Sequence, residues 1–208
     1  MAHLVASPIL FLISAPSGAG KTTVSHRLLS SVSNLERVVT CTTRSPRGGE
    51  VAGVDYHFLD RKTFEQRVVA GEFLEHAEVY GNRYGTLKSS VIDRLKGGVN
   101  VLLSVDVQGA AAIRGVAMRD PAIGGALVSV FLMPPSLEEL GRRLRGRKED
   151  TDEVVARRLG VARREMEQWR EFDYVVVSGG MDDDLASMAG ILSAEGRRTG
   201  RTRELRVE

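Results

Sequence analysis

The chain of 208 residues has a single cysteine, Cys41, so no intrachain disulfide can form and no cysteine-based zinc site can be assembled. That absence points to a reducing compartment, and a cytoplasmic location is expected. A surplus of either charge is also lacking: 29 basic residues against 27 acidic ones leave a net +2. General attraction to nucleic acid is therefore not expected, and any anionic partner has to be recognised at a local cluster. No apolar run approaches the roughly 20 residues that a membrane-spanning helix needs. The opening stretch MAHLVASPILFLISA contains no Lys or Arg and leads straight into a glycine loop, so it reads as a buried strand and not as a secretory leader. Internal repeats and low-complexity segments are absent, and only the basic tail GRRTGRTRELRVE reads as a frayed end.

What remains is an ordinary globular mixture, 42% hydrophobic and 27% charged, long enough for one well-buried core with small insertions. β-branched and apolar residues cluster between turn signals at 9–14, 38–40, 99–106, 126–133 and 174–178, which predicts five strands. Helical patterns fill 22–30, 107–119, 136–145 and 152–171. This alternation predicts an α/β fold with a mainly parallel sheet covered on both faces. A capping box is expected at Ser136 and Glu139, and Val155, Leu159, Ala162, Met166 and Trp169 form a core stripe on the long helix. Residues 41–90 break the alternation with short, turn-rich pieces and a helix near 62–70, as an inserted subdomain would. The charged stretch LRGRKEDTDE reads as a flap.

SAPSGAGKTT, directly behind the first strand, carries the chemistry. From Ala15 to Thr22 its spacing is that of G-x-x-x-x-G-K-[ST], with Ala15 in place of the first glycine. Gly18 and Gly20 let successive N–H groups turn inward, and the following helix adds its positive end. In such a loop Lys21 reaches the β- and γ-phosphates of a nucleoside triphosphate, and the Thr22 hydroxyl binds Mg²⁺. Ala15 matters only if that position needs a positive φ. Arg44 and Arg47, in TTRSPRGGE, form either a two-guanidinium clamp for a second phosphate or a solvated basic loop.

Together SAPSGAGKTT, TTRSPRGGEVAGVDYHF, GEFLEHAEVYGNRYGT, VDVQG and PPSLEELGRRLRGRKEDTDEVVARRL resemble the guanylate kinases, in order and from the first strand to about Tyr174. The resemblance implies the reaction ATP + GMP ⇌ ADP + GDP with Mg²⁺. It also implies a three-layer P-loop core (1–39, 91–140 and 160–208), a GMP-binding subdomain (40–90) and a lid (141–159). ATP would sit on Ala15, Pro16, Ser17, Gly18, Ala19, Gly20, Lys21, Thr22 and Thr23. By matching position Thr40, Arg44, Arg47, Tyr56 and Tyr84 hold the GMP or dGMP phosphate, and Glu75, Thr86 and Asp106 meet the base. Guanine offers N1–H and N2–H₂ as neighbouring donors and carboxylates only accept, so Glu75 and Asp106 suit GMP better than AMP. Arg143, Arg147 and Arg158 match lid arginines that stabilise charge on the transferred group.

The acceptor is already an anionic oxygen, so no general base is needed, and neither His57 nor His76 is assigned one. Two departures stand out. Guanylate kinases usually carry D-[IV]-D-x-Q-G where this chain reads SVDVQG, which puts Ser104 in place of the first acid and alters the expected Mg²⁺ affinity. The SGGMDDD stretch also departs from the family pattern and is expected to reshape the loop near the adenine. Two other readings of the same pattern are an interaction module that keeps the fold without catalysis and a P-loop kinase for another phosphorylated acceptor.

Overall fold

The computed structural model describes residues 3–146 and 151–205. In chain order β1 (His3–Ala6) and β2 (Leu10–Ser14) lead to α1 (Lys21–Ser31); β3 (Leu35–Arg37), β4 (Thr40–Thr42) and β5 (Tyr56–Phe58) lead to α2 (Arg61–Val69). Then come β6 (Phe73–Val79), β7 (Asn82–Leu87), α3 (Lys88–Lys96), β8 (Asn100–Val105), α4 (Val107–Ala117) and α5 (Pro121–Ala126). β9 (Leu127–Met133), α6 (Leu137–Gly146), α7 (Asp152–Met166), β10 (Tyr174–Val177), α8 (Met181–Glu195) and β11 (Thr202–Leu205) complete the order.

Five parallel strands form the central sheet in the order β10-β9-β2-β8-β3. β2 lies in the middle and its LFLIS run is buried throughout, as a strand covered on both faces requires. Phe11 and Ile13 pack on one side against Leu28, Leu140, Ala162 and Met188, which come from α1, α6, α7 and α8. Leu10 and Leu12 pack on the other side against Val91, Ala110 and Ile113 of α3 and α4. The result is the expected three-layer α/β architecture.

A second sheet, in the order β5-β4-β7-β6, carries its own small core of Cys41, Phe64, Phe73 and Leu87. Leu74 of β6 joins the cluster under α4 and so ties this sheet to the central one.

Several sequence expectations need correction. The fifth central strand is Leu35–Arg37 and not 38–40: the chain leaves that sheet before Val38, and Thr40 begins a strand of the other sheet. The long helix ends at Met166, and Glu167–Glu171 tightens into a 3-10 turn. Ser136 accepts from the Glu139 N–H at 3.0 Å, but the Glu139 carboxylate binds Arg142 and Arg143 and does not close a capping box.

Parallel pairing aligns Ser14 with Val105, so the glycine loop after β2 and Asp106 after β8 emerge side by side at the carboxyl ends of the strands. In open α/β sheets that edge is where ligands bind.

Candidate active site

Gly20 adopts φ 98° and caps α1 with no side-chain hydrogen bond. The first-turn N–H groups of Lys21 and Thr22 therefore face outward with the positive end of the helix dipole. Gly18 serves a different need. Its φ is 93°, and a Cβ there would lie 2.7 Å from Leu144 Cδ2, so only glycine lets α6 rest on the loop. Ala15 is not among the described non-glycine residues with positive φ, and its methyl group is buried in the core. The substitution for glycine therefore costs nothing there.

Lys21 Nζ donates to the Val105 carbonyl at 2.7 Å. Burial pushes its pKa below the ordinary lysine value, and the carboxylates of Asp106 and Glu165 oppose that shift. A cavity of about 390 Å³ is lined by Ala15, Pro16, Ser17, Gly18, Gly20, Lys21, Thr22 and Thr23, with Asp106 and Glu165 opposite. Ala19 is the exception in the loop. It packs into the core, and its carbonyl lies 3.4 Å from Arg143 Nη1.

A neighbouring cavity of about 370 Å³ holds Thr40, Glu75, Tyr84, Thr86, Ser104 and Asp106 among its lining residues. β6 and β7 bring Glu75 opposite Thr86, whose hydroxyl donates to Glu75 Oε1 at 2.6 Å. Burial raises the Glu75 pKa, the Thr86 hydrogen bond opposes it, and the Asp106 charge adds to it. Asp106 Oδ1 accepts from the Gly109 N–H at 2.8 Å as the cap of α4. Each carboxylate thus spends one oxygen on the protein and keeps the other for a donor-rich ligand. Gly109 lies beneath both carboxylates: a Cβ there would make ordinary contacts with Asp106 Oδ1 at 3.4 Å and Glu75 Oε2 at 3.6 Å, and a tight one with the Val105 Cβ at 3.1 Å. Thr22 and Asp106 line both cavities, which makes the two spaces neighbours across these two side chains.

Arg44, Arg47 and Tyr56 do not line either cavity. Arg44 is held by Glu50 in a bidentate pair, Nη1 to Oε2 at 3.0 Å and Nη2 to Oε1 at 2.8 Å, and lies over the Tyr56 ring at 5.5 Å. Glu50 also accepts from the Arg47 N–H at 2.7 Å, and these partners, Arg44 first, hold its pKa down to about 2. The expected two-guanidinium clamp is thus not assembled: Glu50 occupies Arg44, while Arg47 is exposed and contributes its backbone. Arg143 is paired with Glu139 at 2.8 Å, Arg158 sits on α7, and Arg147 lies outside the described residues.

His57 and His76 line neither cavity. Cys41 is buried in the small second core, with its thiol pushed up to about 11 by burial.

The family model described as guanylate kinase matches residues 7–195. The chain belongs to the guanylate kinase family. It is 46% identical over 187 residues to the guanylate kinase of Paramagnetospirillum magneticum, covering 90% of this chain and 85% of that protein. To the guanylate kinase of Alkalilimnicola ehrlichii it is 44% identical, covering 96% and 95%. The crystal structure of guanylate kinase from Anaplasma phagocytophilum superposes with a TM-score of 0.71 at 35% identity, over 96% of this chain and 92% of that one.

Two features of this guanylate kinase are not apparent from its motifs. Glu165 on α7 lines the glycine-loop cavity, and no motif in the sequence marks it. Its pKa is raised by burial, against a hydrogen bond from the Ser17 N–H, and the charges of Asp106 and Lys21 act in opposite senses. Its Oε2 is buried without a hydrogen-bond partner among the described residues, an arrangement that costs about 1–3 kcal/mol. The SGGMDDD loop is the other. Asp184 draws it in, accepting from Ser178 Oγ at 2.8 Å and from the Gly179 N–H at 3.1 Å, and none of Ser178 to Met181 lines either cavity.

Proposed function

We propose that this guanylate kinase holds ATP on the glycine loop and GMP in the Glu75/Asp106 cavity, and moves the terminal phosphoryl group across the border between them. The single observation behind this reading is that Thr22 and Asp106 line both cavities, so two nucleotides would meet there. Residues 15–23 would bind the phosphates of ATP through backbone N–H groups and Lys21. Glu75 and Asp106 would accept from guanine N1–H and N2–H₂, with Thr86 fixing the Glu75 rotamer through its hydroxyl. Adenine would turn its N1 acceptor toward these carboxylates and strand a buried polar group.

The GMP or dGMP phosphate would be taken by Arg44, Arg47, Tyr56 and Tyr84, with Thr40 nearby. A phosphate offers Arg44 the same two-oxygen geometry that Glu50 now provides, so binding would exchange one bidentate partner for another. Arg143, Arg147 and Arg158, in a lid of residues 141–159 beside a GMP subdomain of 40–90, would neutralise charge on the moving group and exclude water. The acceptor is an anion, so alignment and neutralisation carry the reaction and no base is required.

Mg²⁺ fits the donors at hand. No cluster of three or more His, Cys, Asp or Glu side chains is assembled for a metal among the described residues, and Thr22 offers an exposed hydroxyl beside Asp106. That suits an ion held mainly by phosphate oxygens and water, with Thr22 as its protein ligand. The ion would supply neutralisation of phosphate charge. The buried free thiol of Cys41 is compatible with a cytoplasmic location.

A coupled ADP-release assay with ATP, Mg²⁺ and each nucleoside monophosphate in turn tests the assignment. Turnover confined to GMP and dGMP is expected. Binding of GMP without turnover would instead indicate an interaction module, and turnover only with another acceptor would remove the guanine assignment.

A further inference from the structure

Glu165 is left without a task by the reaction as described. It lines the same cavity as Ser17, Gly18, Gly20 and Lys21, and α7 is seated there by Val155 and Ala162 in the core shared with Leu140 and Leu144 of α6. Asp106 lines that cavity as well, and the buried Oε2 of Glu165 is unpartnered among the described residues. A triphosphate on the loop calls on the same donors, the loop N–H groups and the Lys21 ammonium. Two anions cannot use these donors together, because like charges at contact distance in a partly buried cavity repel strongly.

We propose that the Glu165 carboxylate competes with the ATP phosphates for the glycine loop, so that nucleotide binding has to move this side chain, and α7 with it, away from the loop. Glu165 is then a positioning residue. α7 also carries Arg158, so displacement of the carboxylate re-aims a lid arginine when, and only when, the loop is filled by phosphate. The inference rests on the assignment of the triphosphate to this loop.

Calorimetric titration of metal-free ADP, and separately of GMP, into the wild type, Glu165→Gln, Glu165→Ala and Lys21→Ala tests it. Glutamine keeps the shape and removes the charge. ADP binding is expected to tighten about tenfold in both Glu165 variants, with GMP affinity unchanged, and in turnover the KM for ATP falls while the KM for GMP holds. A merely structural role would weaken both nucleotides, and melting temperatures check that each variant is folded. Unchanged or weaker ADP binding in both Glu165 variants, with Lys21→Ala impaired, overturns the role of Glu165 alone. Undiminished ADP binding by Lys21→Ala overturns the loop assignment and the proposal with it. Weaker binding confined to the Mg²⁺ complex of ATP would place Glu165 in the service of the metal and also overturn the proposal.

Discussion

Replacing Glu75 by glutamine exchanges one carboxylate oxygen for an amide nitrogen and leaves the side chain its size. Thr86 Oγ1 donates to Glu75 Oε1 at 2.6 Å, so the glutamine oxygen is held on the Thr86 side and its NH₂ turns into the cavity. There, on the proposed assignment, it would meet guanine N1–H and N2–H₂, donor against donor. The loss is one charge-assisted hydrogen bond, about 1.5–3 kcal/mol, and an unpaired buried donor is added to it. At 1.4 kcal/mol per tenfold, kcat/KM for GMP should fall by about 10- to 100-fold. AMP, which presents an acceptor at N1, should lose less, so discrimination between the two narrows. Stability should hold or rise slightly, because a buried charge whose pKa burial has raised is removed. The assay is steady-state turnover with GMP and with AMP at saturating ATP, alongside a thermal melt. A kcat/KM for GMP within about threefold of the wild type, in a folded variant, would refute the assignment of Glu75 to the base.

Acidification should weaken GMP binding before it unfolds the protein. With Glu75 assigned to the base, binding would need its ionised form, so affinity should be present above its raised folded-state pKa and be lost as pH falls through it, readable by titration of GMP alone. Glu50 and Glu139 have folded values of about 2 against 4.5 unfolded, so their stabilisation is intact above 4.5 and disappears between 4.5 and 2, readable in acid melts. Ser104→Asp restores the family's acid at an exposed position on the Glu75/Asp106 cavity; GMP affinity should hold while the Mg²⁺ dependence of turnover shifts, and an unchanged Mg²⁺ titration counts against a role for this position near the metal. Gly18→Ala forces a side chain into a positive-φ site 2.7 Å from Leu144 Cδ2, costing about 2 kcal/mol and lowering the melting temperature by about 4–8 °C; an unchanged melt would show that α6 yields freely.

The glycine loop was legible because its spacing, preceding strand and following helix all state the same requirement. α8 was not, because its buried face includes Asp184 and Glu195 beside Met188 and Leu192, and two acids on the inner face hide the apolar period. The strand expected at 38–40 combined a real β-preference with a wrong sheet. Val38 and Val39 span the step between Arg37 in one sheet and Thr40 in the other, and local propensity carries no information about that change of partner. Glu75 and Asp106 were singled out through the family motifs alone, because 31 residues separate them in the chain and only the fold brings them to one cavity. Arg44 was visible, but its partner Glu50 was not, since two charges six residues apart in a Pro- and Gly-bearing loop need the fold to bring them into a bidentate pair.

Asp106 belongs to both cavities at once, and substrates placed in them would be energetically visible to each other through its charge as well as where they meet. Guanine donors on its open oxygen would draw its charge toward the base and soften the field that the ATP phosphates meet next door. Whatever factor GMP contributes to ATP affinity by this route, ATP must return to GMP, because the coupling between two binding equilibria is symmetric.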